Sequence, residues 1–245
     1  AVLKRVIAQV AFAAATDDSR PSLTGVLTTF EGNRITMAAT DGFRLSVRSA
    51  HIAGYVEKPF NVIIPARALS EVGRIITDDL EAVYISMPSG RNQIIFDMDN
   101  VLLVSQLIDG KFPDYAPIIP KKYTTRTVLN TAEFSKACRT ADIFARESSN
   151  TARVAVEPGD GLSAASATIA ANSKETGDNV AQVDANVEGM PVEIAFNVKF
   201  MSAALGVIDT PQVALETTSA NEPGVLKPVG DNDFVHIIMP MNFNR

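Results

Sequence analysis

Hydrophobic residues recur at helical spacing in four parts of the chain, which predicts four amphipathic helices. In the third, Phe134, Cys138 and Ala141 share one face, and Lys136 and Arg139 lie on the opposite face. This pattern is typical of helices that bury one side against a sheet and expose the other to solvent. The predicted helices are residues 2–15, 66–77, 132–147 and 197–208.

Short β-rich segments separated by turn residues fill the sequence around these helices. Leu23–Phe30 and Arg34–Ala39 flank Glu31-Gly32-Asn33, which predicts a hairpin. A similar hairpin is predicted from Val154–Val156 and Leu162–Ala170 around Gly159-Asp160-Gly161. Further short strands are predicted at Val83–Met87, Gln93–Met98, Val101–Ile108, Val213–Thr217, Gly224–Pro228 and Phe234–Met239.

The order of these elements occurs twice, which indicates an internal repeat of one domain. The pattern of Pro59–Pro65, followed by a helix, recurs at Pro191–Asn197. The two copies meet at Ala116–Thr125, where Pro117 and Pro120 disfavour both helix and strand, as in a linker. The sequence therefore predicts two α+β domains, each with two helices packed on antiparallel sheet.

Composition argues against a membrane protein, a disulfide-bonded protein and a metalloprotein built on cysteine or histidine. The chain of 245 residues is 46% hydrophobic and contains no apolar run long enough to cross a membrane. A single cysteine, Cys138, excludes an internal disulfide and a zinc site built from cysteines, and it favours an intracellular compartment. The two histidines, His51 and His236, leave little material for histidine-based catalysis or metal binding.

The net charge of −6 is distributed unevenly along the chain. The four predicted helices carry eight basic and four acidic residues, so the rest of the chain is strongly acidic. One interpretation is that these basic residues simply lie on solvated helix faces. The alternative is a layer of helices facing a polyanion, with contacts to phosphates that do not read the bases.

No signature of catalysis was found. The signature of an aspartic protease is Asp followed by Thr or Ser and then Gly, whereas Thr40 precedes Asp41-Gly42 and Asp160-Gly161-Leu162 contains no hydroxyl residue. Turns are therefore favoured over a pair of catalytic carboxylates. Cys138 lies on an apolar helix face and is predicted to be a buried thiol. His51 and His236 are predicted to be surface or strand-face residues rather than ligands.

Four short motifs carry a resemblance to a known family. They are Thr40-Asp41-Gly42-Phe43-Arg44-Leu45, Asp109-Gly110-Lys111-Phe112-Pro113-Asp114-Tyr115, Phe196-Asn197-Val198 and Met239-Pro240-Met241. Together and in this order, they resemble the bacterial DNA polymerase III β subunit, the sliding clamp family. The resemblance implies a DNA-clamp fold, with residues 1–117 as the second domain and 118–245 as the third domain of a three-domain protomer. The first domain of the family is absent from the sequence.

The resemblance also implies the function. Family members are non-catalytic processivity factors, and two protomers form a ring around double-stranded DNA. Clamp loader, polymerase and repair proteins insert a short linear motif into a hydrophobic groove between the second and third domains. The implied groove residues are Leu23, Thr40, Gly42, Phe43, Arg44, Leu45, Pro113, Ile118, Ile238, Met239, Pro240 and Met241.

Apolar groove residues suit leucine or phenylalanine anchors of a peptide, Gly42 allows close approach of its backbone, and Arg44 is expected to hydrogen-bond it. Phe43 stands where family members often carry histidine. The residues expected to face DNA are Lys4, Arg5, Arg20, Arg67, Arg74, Lys136, Arg139, Arg146 and Lys199.

No cofactor, metal or catalytic residue is expected, and the expected location is the bacterial cytoplasm, associated with the nucleoid. Two alternatives stay open on the sequence. One is a peptide-binding adaptor that makes no contact with DNA. The other, less favoured, is a duplicated hydrolase that uses acidic residues such as Asp41 and Asp160.

Overall fold

The structure is a computed structural model that describes residues 1–17, 19–159, 163–173, 175 and 177–242. The chain divides into two compact units, unit 1 (Ala1–Tyr115) and unit 2 (Ala116–Arg245). Each unit has its own pair of helices and its own antiparallel strands. The predicted α+β class and the predicted repeat of a helix pair on antiparallel sheet are confirmed.

The described part of unit 1 contains two α-helices and five strands. The first helix lies against β2, and the second helix packs on the first. Strands β1 and β2 are antiparallel, and β3, β4 and β5 form a three-stranded antiparallel sheet. The elements of unit 1 are α1 (Val2–Val10), β1 (Gly25–Thr40), β2 (Arg44–Pro65), α2 (Ala66–Ile75), β3 (Tyr84–Ser86), β4 (Gln93–Met98) and β5 (Val101–Gln106).

The long strands β1 and β2 pair in two registers. Gly25 to Phe30 pair with Pro65 to Phe60, whereas Arg34 to Thr40 pair with His51 to Leu45. The register shifts between Phe30 and Arg34, where Gly32 has a left-handed φ of 57°. The predicted hairpin is therefore wrong, because both of its segments lie mainly in β1 and pair with β2 rather than with each other. The predicted turn residues coincide with the break in register.

In its described residues, unit 2 contains two α-helices and eight strands, in the order β10-β7-β8-β9-β6-β11-β12-β13. The first helix packs against β8 and β9 and against the second helix. The elements of unit 2 are β6 (Thr125–Asn130), α3 (Thr131–Ala145), β7 (Thr151–Glu157), β8 (Ser166–Ser173), β9 (Gly177–Gly189), β10 (Val192–Asn197), α4 (Val198–Leu205), β11 (Gln212–Thr217), β12 (Gly224–Pro228) and β13 (Phe234–Ile238).

The four predicted helices are present but shorter than expected. The first ends at Val10 and continues as a 3₁₀ turn to Ala13, and a 3₁₀ turn from Arg146 to Ser148 follows α3. Such turns commonly close helix ends, where the last carbonyls have no helical donor. In the predicted linker, Ala116–Ile118 form one 3₁₀ turn and no helix or strand occurs before β6.

Asparagine side chains begin both helices of unit 2. The Asn130 carboxamide oxygen accepts a hydrogen bond from the Glu133 amide, and that of Asn197 accepts one from the Lys199 amide. These bonds satisfy amides that lack a partner at a helix N-terminus, which stabilises each helix by about 1 kcal/mol. The Phe196-Asn197-Val198 motif therefore marks the point where β10 passes into α4.

Each unit buries an apolar core under its helices. In unit 1 it is built from α1, α2 and the inner faces of the strands, including Val6, Val10, Leu69, Val72 and Phe96. In unit 2 the largest buried side chains include Phe134, Phe196 and Phe234. The helix faces predicted from periodicity are thus the faces that pack.

Substitution of Gly224 should destabilise the protein because a side chain there has no room, not because the backbone conformation requires glycine. A Cβ at this position would collide with the ring of buried Phe196. We expect Gly224→Ala to lower the free energy of unfolding by about 1–3 kcal/mol. Gly54→Ala is the control, since no atom lies within 4 Å of the added carbon there. Thermal denaturation measures both, and equal melting temperatures for the two variants would contradict the packing.

Cys138 should be chemically inert in the folded protein. Burial raises the pKa of its thiol to about 12, so at pH of about 8 only about one thiol in 10⁴ is ionised. We expect an aromatic disulfide reagent to modify Cys138 only as fast as the protein unfolds. The same protein in concentrated guanidinium chloride, where the thiol titrates normally, is the control. Rapid modification of the native protein would show that the thiol is accessible.

Candidate functional site

The Thr40–Leu45 motif forms a tight turn that joins β1 to β2 in unit 1. The Asp41 carboxylate accepts hydrogen bonds from the backbone amides of Phe43 and Arg44 at 2.9 and 3.1 Å. The Thr40 hydroxyl accepts from the Gly42 amide and donates to the Arg44 carbonyl at 2.6 Å. Gly42 has φ of 94°, a conformation that side chains with a Cβ rarely adopt. Asp41 is therefore a residue that shapes the turn.

Arg44 ties this turn to the end of the first helix. Its Nε lies 2.9 Å from the second carboxylate oxygen of Asp41, and its Nη2 donates to the Phe12 carbonyl at 2.8 Å. The guanidinium also lies 5.4 Å from the centroid of the Phe12 ring. Much of the hydrogen-bonding capacity of Arg44 is thus directed at the protein itself, and its side chain is only 13% exposed.

The same turn presents an aromatic side chain to solvent. Phe43 is 62% exposed, whereas the adjoining Leu45 is 2% exposed and Thr40 is buried. Backbone hydrogen bonds to Asp41 hold the turn on both sides of Phe43, so its ring is displayed on an ordered support. Of the predicted groove residues in this motif, Phe43 is the one available for a new apolar contact.

The Asp109–Tyr115 motif packs beside Leu23 in a small separate cluster. Leu23, Ile63 and Phe112 are buried together, and Phe112 meets Tyr115 edge to face with ring centroids 6.5 Å apart. Burial, with a smaller effect of the Asp114 carboxylate, raises the pKa of Tyr115. Pro113 is exposed next to this cluster. The motif therefore combines a buried aromatic anchor, Phe112, with exposed residues that include Pro113.

Unit 2 holds the remaining predicted groove residues. Ile238 is buried at the end of β13, where it pairs with Gly224, whereas Met239 is 39% exposed. Pro240 and Met241 are half-buried, and the Met241 amide donates to the Ala195 carbonyl at 2.8 Å. This bond fixes the terminal motif beside β10. Ile118 is exposed in its 3₁₀ turn.

The predicted set is thus divided between the two units, and its members in each unit are called a cluster below. The unit 1 cluster consists of Leu23, Thr40, Gly42, Phe43, Arg44, Leu45 and Pro113. The unit 2 cluster consists of Ile118, Ile238, Met239, Pro240 and Met241. Each cluster contains buried aliphatic residues as well as exposed or half-buried apolar ones.

The predicted DNA-facing residues fall into two groups. Arg67, Lys136, Arg139, Arg146 and Lys199 are exposed, and in the described part of the chain no side-chain hydrogen bond or ion pair engages them. Lys4 and Arg74 have partners within the protein. The Lys4 ammonium donates to the Ile76 carbonyl at 2.8 Å, and the Arg74 guanidinium pairs with the Glu71 carboxylate at 2.8 Å. Arg5 is half-buried.

Arg20 lies elsewhere, against the turn of the unit 1 cluster. Its Nη2 lies 3.3 Å from the Asp41 carbonyl, and its guanidinium covers Gly42. From the sequence, Arg20 is expected to face DNA. Its contact with the turn could not be predicted from local sequence patterns, because 21 residues separate Arg20 from Asp41.

Sequence reasoning also missed a pocket of about 490 Å³ in unit 1. Asp79, Glu81 and Asp99 line it beside Ile75 and Met98. A hydrogen bond from the Thr77 side chain lowers the pKa of Asp79. Because the wall is acidic, this pocket does not suit a phosphate group.

The two histidines considered for catalysis or metal binding both lie on strands. His51 is exposed on β2, and His236 is buried within β13. Asp160 lies outside the described residues. Across the described ranges, no three His, Cys, Asp or Glu side chains are grouped so as to hold a metal ion. No helix in the described part of the chain is long and apolar enough to cross a membrane.

Comparison with known proteins covers both units. Residues 1–114 match the family model described as DNA polymerase III beta subunit, central domain, and residues 116–242 match the C-terminal domain of the same subunit. The beta sliding clamps of Staphylococcus aureus and Staphylococcus epidermidis are 38% and 36% identical to the chain over 241 residues. These matches cover 98% of this chain and 62% of each relative, so the chain spans about 62% of the length of these curated relatives.

Solved structures agree with the sequence matches. The DNA polymerase sliding clamp from Bacillus subtilis superposes with a TM-score of 0.91 at 33% identity, covering 99% of this chain and 63% of that one. The DNA polymerase III subunit beta from Pseudomonas aeruginosa gives a TM-score of 0.89 at 28% identity, covering 99% and 64%. The chain therefore belongs to the DNA polymerase III beta subunit family, the bacterial sliding clamps.

Proposed function

We propose that the chain is part of a non-catalytic processivity factor for the bacterial replicative DNA polymerase. The observation that carries this proposal is the match of its two units, in order, to the central and C-terminal domains of one subunit. Two copies of the longer protein would close a ring around duplex DNA and tether partner proteins to it. The site of action would be the cytoplasm, at the nucleoid.

Partner binding is assigned to the two apolar clusters. The exposed side chains of Phe43, Pro113, Ile118 and Met239 supply contact area, and the ordered backbone around them limits the entropy cost of binding. The ligand is a short linear motif with leucine or phenylalanine anchors, carried by polymerase subunits, the clamp loader and repair proteins. Tethering to a ring raises the effective concentration of a partner, so even a weak peptide contact suffices.

DNA contact is assigned to the exposed basic residues of the helices. Arg67, Lys136, Arg139 and Lys199 present cationic groups to solvent on helices that bury their other faces. Such groups bind phosphates without reading sequence, as a sliding protein requires. The proposal assigns no catalytic role to Asp41, because its carboxylate is occupied by the amides of Phe43 and Arg44 and by the Arg44 guanidinium.

Removing exposed apolar side chains should weaken peptide binding while leaving the fold intact. We expect Phe43→Ala and Met239→Ala each to reduce the affinity for a polymerase-derived peptide by about five- to thirtyfold. Leu45→Ala is unsuitable because Leu45 is buried and its truncation would destabilise the protein. Tyr84→Ala is the control, since Tyr84 is 71% exposed outside both clusters.

Isothermal titration calorimetry measures these affinities, and circular dichroism verifies folding. Unchanged affinity in both cluster variants, or an equal loss in Tyr84→Ala, would contradict the assignment of the clusters.

Charge reversal on α3 should weaken retention on DNA. We expect the pair Lys136→Glu and Arg139→Glu, in the full-length protein, to shorten its residence on nicked circular DNA about tenfold and to reduce the salt dependence of retention. Peptide binding should not change, because neither residue belongs to the apolar clusters.

The matched control is Lys58→Glu with Arg91→Glu, two exposed residues outside the helices that change the net charge equally. Equal loss of retention in both pairs would indicate an effect of net charge alone. Retention equal to wild type in the α3 pair would favour an adaptor that makes no contact with DNA.

A further inference from the structure

The seven methionines of the chain differ in their exposure to solvent. Met239 is exposed and Met241 is half-buried in the unit 2 cluster, whereas Met87 and Met190 are exposed outside both clusters. The other three are at most 3% exposed and belong to the buried cores, namely Met37, Met98 and Met201. A dissolved oxidant therefore reaches thioethers both inside and outside the proposed partner-binding surface.

Few other side chains of the protein compete for a mild oxidant. The chain contains no tryptophan and one cysteine. That cysteine, Cys138, is 0% exposed, and burial raises the pKa of its thiol to about 12. Peroxides react with the thiolate rather than with the thiol. Exposed methionines are therefore the side chains that a peroxide oxidises first.

The backbone holds Met239 in place on both sides. Before it, Ile238 pairs with Gly224 of β12. After it, the Met241 amide donates to the Ala195 carbonyl at 2.8 Å. Met239 itself is 39% exposed, so the residue is partly packed on the protein and partly open to solvent. Its side chain is thus accessible to a small oxidant on an ordered support.

Hydrogen peroxide converts an exposed thioether to a sulfoxide in one step. A lone pair of the sulfur attacks one peroxide oxygen, so that an S–O bond forms as the O–O bond breaks. The displaced hydroxide takes up a proton and leaves as water. Two electrons pass from the sulfur to the peroxide, and methionine sulfoxide reductases reverse the change.

Oxidation changes what Met239 offers to a partner. The thioether is apolar and flexible, and it suits leucine or phenylalanine anchors. The sulfoxide carries a polar oxygen that accepts hydrogen bonds from water. An apolar anchor that covers this oxygen removes it from water without supplying a donor, which lowers the affinity. At Met87 and Met190, outside both clusters, the same reaction should leave partner binding unchanged.

We propose that Met239 is an oxidation site through which peroxide reversibly weakens the binding of partner peptides. This inference rests on the proposed peptide-binding function and adds a redox control to it. The core methionines are buried and stay reduced, so the fold is retained while the binding surface changes. The control differs from cysteine-based sensing, because Cys138 is buried.

The test compares the intact chain before and after treatment with hydrogen peroxide, which catalase then removes. The probe is a methionine-free peptide from a DNA polymerase subunit with leucine and phenylalanine anchors. Isothermal titration calorimetry measures its affinity, mass spectrometry of proteolytic fragments locates the sulfoxides, and circular dichroism verifies folding. The variants are Met239→Leu, Met241→Leu and, as the matched control, Met190→Leu. Leucine has nearly the volume of methionine but cannot be oxidised in this way.

We expect peroxide to lower the affinity of the intact chain about tenfold, as for truncation of an interface residue. Reductases for both sulfoxide epimers should restore it. Met239→Leu should show the same affinity before and after peroxide. Met241→Leu and Met190→Leu should lose affinity after peroxide as the intact chain does, because both retain Met239.

Several results would overturn the inference. Full affinity in a chain whose Met239 is oxidised would refute it and leave peptide binding standing. Peroxide sensitivity that persists in Met239→Leu, or disappears in Met241→Leu, would show that another methionine is responsible. Oxidation of Met190 without oxidation of Met239 would show that the oxidant does not reach Met239. A loss of circular dichroism signal would attribute the effect to unfolding. Failure of the untreated chain to bind the peptide would refute the proposed function as well.

Discussion

The geometry of the unit 1 cluster depends on one carboxylate, that of Asp41. It accepts hydrogen bonds from two successive backbone amides and pairs with the Arg44 guanidinium, which in turn bonds the Phe12 carbonyl. The backbone carbonyl of the same residue holds Arg20. Loss of the carboxylate would leave the Phe43 and Arg44 amides and the Arg44 guanidinium without this acceptor. The free energy of unfolding would then fall by more than the intact hydrogen bonds contribute to it. The backbone conformation of the turn that carries Phe43 therefore depends on Asp41, whose carbonyl also accepts a hydrogen bond from Arg20.

Charge is separated between the helices and the rest of the chain. The four helices carry seven basic and three acidic residues, although the whole protein has a net charge of −6. At physiological ionic strength salt screens the field of a charge over about 8 Å. A ligand near a helix therefore responds to the charges of that helix rather than to the net charge of the protein. An acidic protein can therefore present a cationic surface to phosphates, and net charge alone is a poor guide to its partners.

Local patterns predicted the parts of the fold that depend on local forces. The helices, the buried Cys138 and the strands β11 to β13 follow from periodicity of apolar residues. The strand β9 was missed because Asp, Asn and Gly dilute its alternation, and the full extent of β2 was missed because it contains Gly54 and Pro59. The candidate residues came from motif resemblance, which did not indicate that Leu23, Leu45 and Ile238 are buried. The contact of Arg20 with Gly42 is tertiary and leaves no trace in spacing.

The difference between buried and exposed members of each cluster bears on the proposed binding of partner peptides. In unit 1, Leu23 and Leu45 are buried and Phe43 is exposed, and in unit 2, Ile238 is buried and Met239 is exposed. An apolar contact of this kind tolerates varied sequences, and the flexible thioether of methionine increases that tolerance. Discrimination then requires a polar group whose pairing is lost with the wrong ligand.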